Sequence, residues 1–154
     1  MQNTDHDISC LNGLITTTID SVEGYREAAT DASSQTFRKI FMDRANERDG
    51  VVSELQAEVR TLGGSPDDSG SVLASAHRVF VNLRDMVAGG DDKAVIAEVE
   101  RGEDHIKAKY EAALADADLS PNTVSLIQRS YQSVKQGHDQ MRDLKNGMSA
   151  EATT

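Results

Sequence analysis

The chemistry this sequence could do rests on Asp20, Glu23, Glu47, Glu100, Glu103 and His138, with Arg44 and Arg48 placed among them. Carboxylates and imidazole are ligands for iron, manganese and zinc, and helical bundles hold such metals by projecting these groups inward from facing helices. A di-iron centre of the usual kind adds Glu-x-x-His on two helices, because positions i and i+3 share a face and grip two metals from one side. Here Lys135 stands three residues before His138 and Gly102 three before His105, while Gly50 and Ala57 follow Glu47 and Glu54 at that interval. Only Glu100-x-x-Glu103 fits, a common spacing in any acidic helix.

The competing chemistry is a structural polar layer. Arg48, with Arg44, would supply the positive charge a metal would bring, pairing Glu103, Glu47 or Asp20, since buried charges must be paired and the guanidinium fork matches a carboxylate. Two arginines at the level where metals would sit favour this layer, without a cofactor, over bound iron or another divalent metal. Other chemistries lack their residues. There is no glycine-rich phosphate loop, no CxxC or HExxH, and no Cys or Ser nucleophile with an identifiable base. Pro66-Asp-Asp-Ser-Gly70 lacks the length and terminal Glu of a calcium loop. His77 beside Arg78 reads as a capping or packing histidine, and His6 as solvated.

The elements that position these groups are helices. Ile8, Leu11, Ile15, Ile19, Val22, Tyr25 and Ala29 recur every three or four residues and predict a helix over 7–31. Phe37, Phe41, Ala45, Val52, Leu55, Val59 and Leu62 predict a second over 35–62, opened by Ser33 or Ser34 and stopped by Gly63-Gly64. A shorter helix is expected over 71–88. Asp91 or Asp92 can cap a fourth segment that ends near Ala115, and Ser120-Pro121 opens the last one. Short links make antiparallel hairpins of the first two and last two helices. The long connection between them, whose ~18-residue helix is ~27 Å in length, can traverse a bundle end to end. The expected fold is therefore all-α: a four-helix bundle of the ferritin-like pattern, with an additional crossover helix between its second and third members. The alternative is a five-helix up-and-down bundle.

This topology sets the second and fourth predicted helices side by side in parallel, and helical phase puts Arg48, Glu103 and His138 on buried stripes. It also places His138 level with about Glu98. Interior glycines Gly24, Gly50, Gly102 and Gly137 adjoin these polar groups, and each costs about 1 kcal/mol against alanine, so they ask for a packing or site reason.

Asp plus Glu exceed Lys plus Arg by 26 to 16, a net charge of −10. Phosphate backbones and anionic membrane surfaces are poor partners for such a chain, and divalent cations better ones. Cys10 stands alone, so no intramolecular disulfide can form, and a polar N-terminus without an apolar run suggests a cytoplasmic protein. One domain is expected over 7–146, with flexible ends at 1–6 and 147–154, self-associating as a homo-oligomer.

The segments Leu11-Asn-Gly-Leu-Ile15 with Asp20 and Gly24-Tyr25, then Leu62-Gly-Gly-Ser-Pro66 followed by Gly70-Ser71 and His77-Arg78, carry a resemblance that Glu98-Val-Glu-Arg-Gly-Glu-Asp104 and Tyr110 complete. Over residues 7–145 the chain resembles a bacterial ferritin-like four-helix-bundle family of unknown function. The resemblance implies the ferritin-like fold and a distant relationship to stress-associated bacterial proteins and carboxylate-bridged di-iron proteins. By that relationship, ligands would carry over to Glu23, Glu100, Glu103 or His138. Two functions are thus expected in competition: a non-enzymatic bundle whose interior charges fix its register, and a metal-binding protein that oxidises or sequesters iron.

Overall fold

The apolar stripes fold as helices. The computed structural model describes residues 4–70 and 92–152, and among these it contains α1 (Thr4–Asp31), α2 (Gln35–Thr61), α3 (Asp92–Leu114), α4 (Pro121–Ala152) and no strand. The short helix expected over 71–88, with His77, lies outside the described residues. α1 begins three residues before its first stripe position, with Asp5 and Asp7 in its first turn, where acidic groups favour the positive end of the helix dipole. α4 runs beyond the expected end near Gly147 because Met148, Ala150 and Glu151 are good helix formers.

Contacts at the turns set the directions. Asp92, at the start of α3, accepts hydrogen bonds from the backbone N–H of Ser33 (2.8 Å) and Ser34 (3.1 Å) in the α1–α2 turn, while further along α3 Tyr110 bonds Thr18. α1 and α3 are thus antiparallel. Arg44 and Arg48 meet Gln140 and Val134 in reversed order, so α2 and α4 are antiparallel as well. α2 and α3 are parallel, as the sequence suggests, but they are not side-by-side neighbours. Each is flanked by α1 and α4, and the two face one another diagonally across the core. Asn12 holds Ser65 and Asp67 near the far pole, so α2 ends at one pole and α3 begins at the other.

Helix ends are closed by specific groups. Ser34 caps α2 by accepting the Phe37 N–H. At its other end Gly63 N–H bonds Arg60 O and Gly64 N–H bonds Val59 O, both at 2.9 Å, with Gly63 at φ +87°, the paired bonds of a Schellman stop. Gly64 serves a second purpose: a Cβ there would stand 2.8 Å from Ile8 Cδ1. The Asp92 carboxylate accepts the Ser33 and Ser34 amides of the α1–α2 turn, and the other expected cap, Asp91, lies outside the described residues. No described helix is long and apolar enough to cross a membrane.

The core is in two halves. Leu11, Ile15, Val52, Leu55, Val59, Ile106 and Ile127 belong to one apolar cluster; Ala28, Phe41, Ala45, Val95, Ile96 and Met141 belong to the other. The first half is locked at its pole by Asp7, only 1% exposed, which accepts the Ser120 hydroxyl at 2.6 Å and the Ser120 N–H at 3.1 Å. Asp7→Ala removes the acceptor of both the Ser120 amide and hydroxyl and should cost roughly 1–3 kcal/mol in a urea unfolding curve. A loss below about 0.5 kcal/mol would show that water replaces the carboxylate.

Candidate functional site

Between the two apolar halves sits a charged layer. On α2 the apolar positions pass from Ala45 to Val52 with Arg48 between them, and on α3 from Ile96 to Ile106 with Glu103 between them. Helical phase turns both side chains inward, and they are 0% and 1% exposed. Arg48 meets Glu103 with two parallel bonds, Nη1 to Oε1 at 2.7 Å and Nη2 to Oε2 at 2.6 Å. Nη1 also donates to Ser21 Oγ at 2.6 Å and Nη2 to Val134 O at 3.3 Å. The guanidinium therefore links all four helices. Its carbon lies 5.5 Å from the centre of the Tyr25 ring, within range of a cation–π attraction.

Electrostatics keep Arg48 charged and Tyr25 and Tyr110 neutral. Burial by itself would push the Arg48 guanidinium down, but its hydrogen bonds to Glu103 and the Glu103 charge outweigh that and keep it above its usual value. Tyr25 is pushed well above the ordinary tyrosine range by burial and then by the Glu103 charge, partly offset by Arg48. Burial also takes Tyr110 up to about 12, although its hydrogen bond with Thr18 (2.8 Å) and the Arg48 charge pull the other way. Neither phenol can exchange a proton near neutral pH.

Arg44 is the second arginine of the layer. It bonds Glu47 through Nη1 at 3.0 Å and Gln140 through Nη2 at 2.8 Å, and Glu47 is also bonded by Ser133. The interior glycine beside His138 has its reason here. A Cβ on Gly137 would collide with Arg48 Nη2 and stand 2.8 Å from Glu103 Oε2. Gly50 and Gly102 face open space instead.

The other sequence-selected groups disperse. Glu23 is exposed. Glu100 is paired with Lys145 at 3.3 Å, and His138, expected to be buried, is half-buried and bonds Asp104 at 2.6 Å through Nε2, not Glu103. No three of Glu23, Glu100, Glu103 and His138 bring ligand atoms within 4.8 Å of one another. The shift of His138 from the level of Glu98 to that of Asp104 follows from the α3–α4 link. Residues 115–120 form a loop, whose rise per residue exceeds the 1.5 Å of a helix, so reflection about one turn centre fails. His6, expected to be solvated, bonds Asp116 at 2.7 Å. Ser21, Thr18 and Ser133 were not foreseen as members of the layer, although the tyrosines on buried stripes signal that hydroxyl partners are required.

Glu103→Ala leaves Arg48 buried without its counter-charge and should lower stability by roughly 3–5 kcal/mol. The paired replacement Arg48→Met with Glu103→Leu should recover most of that loss, because a buried ion pair exchanges for apolar side chains at little net cost. Equal losses in the single and double variants would contradict a coupled pair. Gly137→Ala tests the close approach separately: helix propensity favours alanine by about 1 kcal/mol, yet overpacking against Arg48 should give a net loss of about 1–3 kcal/mol. A stabilised variant would show that Arg48 has room to retreat.

A family model described as a domain of unknown function, DUF2383, matches residues 7–116, a span that contains α3 and both partners of the Arg48–Glu103 pair. No curated protein matches the chain.

Proposed function

The chain belongs to the DUF2383 family, a domain of unknown function, and on that premise we propose that it is a non-enzymatic bundle of the ferritin-like type. In this reading an arginine–glutamate pair occupies the level at which metal-dependent bundles build their carboxylate centre. The observation that carries the proposal is the bidentate Arg48–Glu103 contact, fully buried between two apolar half-cores. A guanidinium at 2.6 Å from Glu103 supplies the positive charge a metal would bring and repels a second cation. The diagonal, parallel placement of α2 and α3 supports the ferritin-like pattern. The resemblance noted above supports a bacterial, stress-related setting, and the solitary cysteine suits a reducing compartment. Self-association belongs to the same reading.

The rival is iron oxidation or storage through Glu23, Glu100, Glu103 and His138, and it makes different demands. In a His6→Ala chain, where the imidazole at the pole cannot compete for metal, excess iron, manganese or zinc should leave the melting temperature unchanged. A core centre at 100 times its dissociation constant would instead add about 2.7 kcal/mol. Iron(II) exposed to air should oxidise no faster with the protein than without it. A stabilisation by iron that vanishes when Glu103 and His138 are both replaced by Ala would overturn the proposal.

A further inference from the structure

We propose that His6, Asp116 and Asp118 form a binding site for one zinc ion at the pole of the bundle, remote from the charged layer. The residues come from two places: His6 from the first turns of α1, and both aspartates from the loop that follows α3. One ligand atom from each lies within 4.8 Å of the other two, and among the described residues no other group of three His, Cys, Asp or Glu side chains does this. An imidazole together with carboxylates is a donor set that suits zinc, where calcium and magnesium call for oxygen alone.

The loop holds the donors in place. Asp116 Oδ1 accepts the Asp118 N–H at 2.9 Å, leaving Oδ2 to meet His6 Nε2 at 2.7 Å. On the next residue of α1 the buried Asp7 grips Ser120, so helix and loop are tied together immediately beside the site.

Admitting the ion opens the His6–Asp116 pair and draws in Asp118, whose ligand atom lies within 4.8 Å of the other two, by up to about 1.5 Å. Zinc bonds of 2.0–2.1 Å in a tetrahedral arrangement separate two ligand atoms by about 3.3 Å. The hydrogen-bonded pair therefore opens by roughly half an ångström, and the Nε2 proton of His6 leaves as the metal takes its place. Three protein ligands leave the fourth position to water. His6 and Asp116 are 36% and 28% exposed, so the ion has an entry path.

The experiment is calorimetric titration of the tag-free full chain with zinc chloride near pH 7. One ion per chain is expected, with affinity falling by about 10–100-fold or more in His6→Ala and in Asp118→Asn. His138→Ala, which removes the exposed imidazole–carboxylate pair with Asp104, should titrate like the parent. Both test positions sit at the surface, and circular dichroism of the variants confirms that the fold is kept. A chain that shows no saturable zinc binding, or binding that survives the double variant or disappears with His138, would overturn the site. The core reading depends on Glu103 and is untouched by either result.

Discussion

The bidentate contact between Arg48 and Glu103 constrains everything around it. Two opposite charges are wholly removed from water on helices that are not neighbours, so neither can be relieved by a rotamer change toward solvent. Sliding α2 by one turn against α3 would separate the groups by about 5.4 Å and leave two unpaired buried charges. A purely apolar stripe would tolerate such a slip far better, because one leucine replaces another at similar cost. The pair therefore acts on the choice of register more than on net stability, to which buried ion pairs contribute little. The neighbours follow from it: Ser21 and the Val134 carbonyl accept the Nη protons that Glu103 leaves over, only Nε–H stays without a partner among the described residues, and Gly137 lets α4 approach without a side chain in the way.

The acidic composition finds use at the poles. Asp92 takes the two amides of the α1–α2 turn, and Asp7 takes the amide and hydroxyl that open α4. In each case a carboxylate from one helix satisfies backbone donors that a helix end or turn leaves without partners. These contacts join elements far apart in sequence, so the poles are fixed by tertiary closure and not by local capping alone. A net charge of −10 is consistent with a fold that uses its carboxylates as acceptors, with Arg48, Arg44 and the turn amides as the donors.

Helix positions were legible because apolar periodicity reports helical phase directly. The same signal exposed Arg48 and Glu103, each standing where a hydrophobic residue belongs, and the glycine pair after Leu62 marked the end of α2. Levels between helices were less legible. Periodicity says which way a residue points but not how far a loop carries the next helix, and His138 moved by six positions for that reason, from Glu98 to Asp104. Side-by-side placement of α2 and α3 failed similarly, since hairpin lengths fix direction without deciding which pairs share an edge. The partners of Asp92 and His6 come from other elements, Ser33 and Ser34 for the first and Asp116 for the second, contacts that no local pattern encodes.

An arginine and a metal solve the problem of a buried carboxylate with different consequences for folding. A core metal would make part of the folding free energy depend on the ion, because its ligand set is not assembled in the unfolded chain. An arginine travels with the chain, so the layer forms whenever the helices meet, and Arg48 keeps its charge near neutral pH. Under the proposed reading, metal binding is thereby removed from the conditions for folding and left to the pole, where His6 and the aspartates lie near the surface and can gain or lose an ion without disturbing either half of the core. Under that reading the interior rejects a second cation through the Arg48 charge, while the pole offers an imidazole and two carboxylates as ligands.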